Sequence, residues 1–244
     1  MKECSKSIPR RLADARFATR YFVGAGLDIG GRPDPLALYM ELFPRIASVR
    51  TWDLDDGDAQ ALAGIAPEFF DFVHSSHCLE HLVDPRAGLP AWFRAVKPGG
   101  HLIVTLPDED LYEQGVFPST FNRDHKHTFT IHKTRSWSAA SINVTDLLAD
   151  LGPAAQVLKI ELLDGTYRFG FPRYDQTQTP VTESGIEFVV RKRPASEIRA
   201  GGRLPTPATL TRETRIHLNQ YRDDLAVLKS NNLREPPFAN DGDV

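Results

Sequence analysis

An α/β fold with a mostly parallel sheet is predicted by three features of the chain. A short apolar run, Leu27-Asp28-Ile29, ends in an acid and two glycines, Gly30 and Gly31. A second apolar run, Phe70-Asp71-Phe72-Val73, ends in the small polar residues Ser75 and Ser76 and opens towards a helix. The repeated order of strand, turn, helix and strand argues for parallel crossover units. In such sheets ligands sit outside the carboxyl ends of the strands, so both runs face one crevice.

The elements follow in order. Residues 9–22 place Leu12, Ala15, Phe17, Tyr21 and Phe22 at helical spacing, which predicts a lead-in helix over the crevice. A strand at 25–29 is followed by a helix at 35–44, beginning after Pro33 and Pro35, where a missing N–H is tolerated. Strands are expected at 47–53, 69–75 and 100–106, with a helix at 85–96 between the last two. Residues 108–135 are rich in aromatic, acidic and histidine residues without periodicity, as binding loops and lids are. A helix at 141–151 stops at Gly152-Pro153, and two final strands fit 155–163 and 185–192. Residues 194–210, with Pro194, Gly201, Gly202, Pro205 and Pro207, read as a linker before a helix at 211–229 and a disordered tail from Asn231. The expected organisation is thus one catalytic domain over 1–193 and an appended segment over 194–244.

Composition narrows the function. At 244 residues the chain suits one large core. With 29 basic and 32 acidic residues its net charge of -3 supplies no positive field for phosphate backbones, so nucleic acid is not an expected partner. Cys4 and Cys78 offer no disulfide framework, no stretch is long and apolar enough for a membrane span, and no signal peptide is evident; a cytoplasmic monomer or homodimer is expected.

Taken with Asp53 and Asp58, and with Lys97-Pro98-Gly99-Gly100 ahead of the strand at 100–106, the two runs resemble the class I S-adenosylmethionine-dependent methyltransferases over roughly residues 15–150. That family carries an acid-glycine turn, an acid ending the second strand, a small-residue loop with Leu-Glu-His and a Lys-Pro-Gly-Gly turn, in this order. The resemblance implies a Rossmann-like three-layer sandwich. Its sheet is mostly parallel, seven-stranded or six-stranded, with an antiparallel end strand. Asp58-Ala59 follows Asp53 too closely to leave room for the usual helix and strand, so this region is trimmed or rearranged.

The resemblance also implies S-adenosyl-L-methionine as cofactor and distributes the site residues. Gly30 and Gly31 let backbone approach the ligand, and Asp28 accepts from its amino-acid end. Asp53, with Asp55 as runner-up, takes the ribose hydroxyls; Asp58 and Ala59 meet the adenine; Ser75 and His77 belong to the loop at the cofactor. Arg32 and Asp34 stand where the family has its second and third glycines.

Methyl transfer needs alignment and, for a hydroxyl acceptor, a base, for which histidine is suited near neutral pH. His125, beside Asp124 in Asn122-Arg123-Asp124-His125, is the leading candidate, with Asp124 orienting its ring, and His81 follows. The acids and histidines also suit a divalent metal by ligand type, but their spacing singles out no ligand set, and none is expected. The segments Leu111-Tyr112-Glu113-Gln114 and 122–125 are similar to those of methyltransferases associated with surface-polysaccharide pathways, which implies a small or carbohydrate-like hydroxyl acceptor. Two other readings are a cofactor-binding scaffold without catalysis, which the altered glycine turn permits, and a nicotinamide oxidoreductase. The latter requires Gly-x-Gly-x-x-Gly, which 28–36 lacks.

Overall fold

The structure is a computed structural model that describes residues 3–204, 209 and 211–214. Two units divide the chain, Met1–Gly202 and Arg203–Val244, and the second lies mostly outside the described residues, as do residues 215–229 of the expected last helix and the tail beyond it.

The first unit is built on a six-stranded sheet. In chain order its strands are β1 (Gly24–Ile29), β2 (Ile46–Trp52), β3 (Phe70–Ser76), β4 (Val96–Pro107), β7 (Ala155–Leu163) and β8 (Gly185–Lys192); β5 (Thr128–Thr130) and β6 (Ser141–Asn143) form a separate parallel pair. The spatial order is β2-β1-β3-β4-β8-β7. The first four strands run parallel, and β8 is antiparallel to both β4 and β7. Between Trp52 and Phe70 the only regular element among the described residues is a 3-10 turn at Leu54–Asp56, so β2 is left as the sheet edge and the six-stranded form results.

Strands buried on both faces must be apolar on both faces. Leu27, Ile29, Val73, Leu102, Val104 and Phe188 pack on one side with Leu89 and Trp92 of helix α2 (Pro85–Ala95) and Leu147 of helix α3 (Val144–Ala149). Phe72, Ile103 and Val189 pack on the other with Ile8 of helix α1 (Glu3–Ala13) and with Phe17, Phe22, Leu36 and Phe43. The three layers are therefore helix, sheet and helix. Asp84 caps α2, accepting from the Arg86 and Ala87 N–H groups at 2.9 and 3.2 Å, with Pro85 following where its missing N–H is harmless.

Several elements depart from the sequence expectation. The lead-in helix begins at Glu3, passes through Pro9 and ends at Ala13; only a short π-helical turn, Phe17–Tyr21, follows before β1. Tertiary anchors on Ser5, Arg10 and Arg11, described below, set this earlier start. The helix expected at 35–44 is a 3-10 segment, Leu36–Leu42. Residues 141–143 extend into β6 to pair with β5, which shortens the helix expected at 141–151 to Val144–Ala149. Inside the expected linker, helix α4 (Ala195–Arg199) forms because Glu197 grips Arg191 of β8 through two bonds, at 2.7 and 2.9 Å.

One polar stripe crosses the α1 side of the sheet. Asp28 pairs with His74 across β1 and β3, Thr105 pairs with Glu187 across β4 and β8, and all four are buried. The fully buried guanidinium of Arg11 joins them, bonding Glu187 at 2.9 Å, His74 Nε2 at 3.0 Å and the Thr105 hydroxyl at 3.1 Å. Arginine has no acceptor, so Nε2 of His74 must accept and Nδ1–H donates to Asp28 at 2.6 Å. Burial, the largest influence, holds the His74 pKa below its ordinary value, and the ring is neutral. Arg10 adds two bonds to Glu187 and two to Glu183, which docks α1 on β8.

Burial alone raises the Glu187 carboxyl, but the charges of Arg11 and Arg10 outweigh it and hold the pKa well below the glutamate value of 4.5. A group with a depressed folded pKa contributes stability that is complete above its unfolded value and is lost as pH falls through the folded one. Stability measured by urea unfolding is therefore expected to decline below about pH 4.5 in the wild type, with a shallower decline in Glu187→Gln. Arg11→Ala leaves Glu187 without its one fully buried cationic partner among the described residues and is expected to cost about 3–5 kcal/mol, the range for breaking a buried ion pair. A loss below about 1 kcal/mol, the size of an exposed pair, would refute the role given to Arg11.

Candidate active site

The turn after β1 is shaped by its own packing. Gly30 has φ +68, and a Cβ there would lie 2.7 Å from Cys78 Cβ; at Gly31 it would lie 2.4 Å from Asp28 Oδ2. Only glycine satisfies either position. Both Asp28 oxygens are engaged, one by His74 and the other by the Leu36 N–H at 2.7 Å, so this buried acid orders the turn from beneath. The residues standing in place of the family glycines act as anchors. Arg32 donates its N–H to Asp53 at 2.9 Å and its guanidinium to Asp55 at 2.7 Å, which ties the turn to the end of β2. Asp34 accepts from the Ser5 N–H at 2.8 Å and from the Tyr39 hydroxyl, which ties the same turn to α1.

Two adjoining cavities open at the carboxyl ends of β1, β2 and β3. The larger, about 550 Å³, is walled by Trp52, Asp53, Leu54, Asp58, Ala59 and Leu82. The smaller, about 190 Å³, is walled by Gly31, His77, Glu80, Tyr112, Asn122 and His125, with Asp28 at its floor and Glu3 and Cys4 of α1 at its side. Gly30 and His81 border both, and Asp124 reaches the larger. Two expected residues border neither. The Ser75 hydroxyl is buried in the sheet, donating to the Ile29 carbonyl at 3.0 Å, and Ser76 faces the smaller cavity in its place. Asp55 is an exposed partner of Arg32. Side chains alternate along a strand, and the alternation turns Ser75 inward.

The smaller cavity gathers imidazoles around one carboxylate. Glu80, on a 3-10 turn Leu79–His81, is fully buried, and neither of its oxygens accepts a hydrogen bond. Its Oε1 lies 3.4 Å from His77 Nδ1 and 3.9 Å from both His81 Nε2 and His125 Nε2. His77 takes φ +54, an uncommon conformation for a residue with a side chain and one that clusters at functional sites. Burial raises the Glu80 carboxyl, yet the His77 contact and the neighbouring imidazoles hold its pKa below the ordinary value. For His77 burial disfavours the charged ring, and Glu80 and Glu3 outweigh it and raise the pKa.

The orientation of His125 corrects the sequence expectation. Its Nδ1 is held at 2.6 Å by Glu113 Oε1, whereas Asp124 Oδ2 holds His81 Nδ1 at 2.9 Å. Asp124, the residue before His125, turns to His81 instead, while the turn Glu109–Glu113 brings Glu113 to the His125 ring. An ionised carboxylate can only accept, so in both rings Nδ1 carries a proton, and whenever the ring is neutral its Nε2 presents a lone pair on the side of Glu80. Tyr112 stacks 5.2 Å from His125 with its hydroxyl buried and unpartnered. Sequence reasoning had passed over Glu80, except as part of Leu-Glu-His, and also Glu113, Glu3 and Asp34. Glu80 and Glu113 carried only the signal of an acid following apolar or aromatic residues, and Glu3 and Asp34 carried none.

Comparison with known proteins places this site in a family. The methyltransferase-domain family profile matches residues 8–142, more than half of the chain. The chain belongs to this methyltransferase family. Its cofactor is S-adenosyl-L-methionine. Among curated relatives, the ubiquinone biosynthesis O-methyltransferase of Pseudomonas fluorescens (strain SBW25) is 37% identical over 101 residues, 41% of this chain and 36% of that protein. The protein of the same name from Pseudomonas putida (strain GB-1) is 41% identical over 68 residues, 28% and 23% respectively. The methyltransferase thus spans about a quarter to a third of the length of these relatives. Solved structures similar to it include an S-adenosylmethionine-dependent methyltransferase from Clostridium acetobutylicum ATCC 824 (TM-score 0.49, 12% identity, 80% of this chain and 93% of that one). Another is from Archaeoglobus fulgidus (TM-score 0.47, 16% identity, 79% and 95%).

Both cysteines border the cavities, and burial, the dominant cause, pushes each thiol up to about 12. The thiolate is the reactive form, so near pH 8 the folded methyltransferase should be alkylated by iodoacetamide about a thousandfold more slowly than free cysteine. Labelling should become fast on unfolding in guanidinium. Equal rates in the two states would remove the buried, protonated description of Cys4 and Cys78.

Proposed function

We propose that this methyltransferase transfers the methyl group of S-adenosyl-L-methionine to a hydroxyl of a compact, polar acceptor, sugar-like or phenolic, held in the smaller cavity. The observation that carries the reading is the Glu113–His125 pair, which fixes an imidazole lone pair towards that cavity at its junction with the glycine turn.

The residues present fit the cofactor. Asp53 gives one oxygen to the Leu54 N–H and one to the Arg32 N–H, and a carboxylate has further lone pairs for the two ribose hydroxyls. Asp58 and Ala59 border the same cavity at the adenine end, and Leu54, 92% exposed on its rim, is an apolar side chain that a bound base would cover. Bound S-adenosyl-L-methionine supplies a methyl group already activated by a sulfonium, and S-adenosylhomocysteine is left. The chain's own part is alignment, exclusion of water and proton removal. The hydroxyl proton passes to His125 Nε2, and Glu113 stabilises the resulting imidazolium. His81, held by Asp124, lies between the two cavities and positions the acceptor against the methyl donor.

The acceptor class follows from the lining. About 190 Å³ walled by histidines, a glutamate, a tyrosine and an asparagine suits a hydroxylated ring better than an extended apolar chain. The curated relatives are named as O-methyltransferases, which supports oxygen as the accepting atom.

Two outcomes are expected. Asp53→Ala should weaken S-adenosylhomocysteine binding, measured by calorimetry, by about 1–3 kcal/mol, the cost of a hydrogen-bonding group removed from buried partners; unchanged affinity would displace the ribose from Asp53. Once screening of nucleotide sugars and small phenols for methyl-donor consumption has found an acceptor, His125→Ala should slow turnover about a hundredfold to ten-thousandfold while S-adenosylhomocysteine affinity stays the same. Full turnover in His125→Ala with loss in His81→Ala would move the base to His81.

A further inference from the structure

We propose that Glu80, His81 and His125 form a binding site for one divalent transition-metal ion, with its open coordination positions facing the smaller cavity. The inference concerns the same cavity as the reading above but does not rest on it, because its geometry needs no acceptor.

Three independent features converge. The first is the ligand set: one ligand atom from each of the three residues lies within 4.8 Å of the others. Two imidazoles and a carboxylate are the donors of many divalent-metal centres and favour borderline ions such as Zn²⁺, Mn²⁺ or Co²⁺ over Mg²⁺ or Ca²⁺. With metal–ligand bonds of about 2.0–2.2 Å, neighbouring ligand atoms stand about 3.0–3.5 Å apart. The 3.9 Å separations of Glu80 Oε1 from the two Nε2 atoms close to that range with movements of a few tenths of an ångström.

The second feature is the state of Glu80. The carboxylate is fully buried, and its nearest partner, His77, stands 3.4 Å away, so neither oxygen has a well-formed hydrogen bond that a cation between it and the imidazoles would have to displace. His77, at 3.4 Å, is too distant for a strong bond to serve in its place.

The third is the outer shell. Metal-ligating histidines characteristically give their other N–H to a carboxylate, which fixes the tautomer and the ring direction. His125 gives it to the Glu113 carboxylate at 2.6 Å, and His81 gives it to the Asp124 backbone carbonyl at 3.2 Å with that residue's carboxylate 2.9 Å away, acceptors that serve equally in such shells. The three ligands and their two supporting acids come from residues 80–81, 113 and 124–125, so their convergence is a product of the fold. When the ion is bound, the His125 lone pair is a ligand and is unavailable as a base; the two uses exclude each other.

The test uses full-length, tag-free protein stripped with EDTA and dialysed. Zn²⁺ or Mn²⁺ alone is titrated by calorimetry, metal content is counted by mass spectrometry, and Co²⁺ loading is followed by its visible absorption. One ion per chain is expected. Glu80→Gln, His81→Gln and His125→Gln should each weaken binding at least about a hundredfold, and Glu113→Gln and Asp124→Asn about tenfold to a hundredfold. S-adenosylhomocysteine affinity and thermal unfolding, unchanged across the set, verify that each variant is folded. Failure of the folded wild type to bind a stoichiometric ion, or binding indifferent to Glu80→Gln and His125→Gln, overturns the inference. Methyl transfer by a protein that binds no ion overturns it too and leaves the transfer reading standing. Stoichiometric binding lost in these variants, in a protein that methylates no hydroxyl, upholds the inference and removes the transfer reading.

Discussion

The buried guanidinium of Arg11 is the constraint on which the remaining architecture depends. It is enclosed completely, bonds three strands of the sheet at once, and lies 5.5 and 5.6 Å from the Phe17 and Phe22 rings. A charge in that position is tolerable only if every partner is in place, so the sheet register, the seating of α1 and the tautomer of His74 are determined together. Through His74 the same constraint reaches Asp28, and through Asp28 the backbone at Leu36 on the far side of the glycine turn. The Asp28 side of the smaller cavity is therefore fixed from inside the protein.

This arrangement explains how the turn works without the usual series of glycines. A glycine-rich turn is permissive, and permissiveness needs restraint from elsewhere. Here Arg32 and Asp34 supply restraint directly, one bonding the end of β2 and the other the first turn of α1. The trimmed connection between β2 and β3 fits the same economy, because Asp53, Asp58 and Ala59 reach one cavity wall without an intervening strand. The opposite side of the crevice comes from the segment after β4. There the turn Glu109–Glu113 places Glu113 under His125, and the Lys126 N–H bonds the Glu80 carbonyl at 2.9 Å, so the acceptor side and the loop after β3 are fastened together.

Much of the scaffold was legible because it is written in local chemistry. The strands at 25–29, 155–163 and 185–192 needed only short segments rich in apolar residues with punctuated ends, and α2 lies within the helix expected at 85–96. The elements that were misjudged all answer to distant partners. Helix α1 starts early because Asp34 and Glu187 hold it, residues 141–143 become a strand because Thr128–Thr130 lies alongside, and α4 exists because Arg191 waits for Glu197. Asp124 was paired with His125 by adjacency, whereas adjacency in an irregular loop says little about which way two side chains face.

The sequence by itself determined the fold class and the family, since apolar periodicity, an acid-glycine turn and an acid ending the second strand are local patterns. The tertiary structure alone decided what each charged group does. Asp28 went to His74, Asp34 to α1, Asp124 to His81, and Glu113 and Glu80 to a cluster of imidazoles that no spacing in the chain announces. The physical reason is range. A strand or turn is favoured by neighbours a few residues away, but a buried charge is permitted only by whichever opposite charge or donor the completed fold brings within about 3 Å.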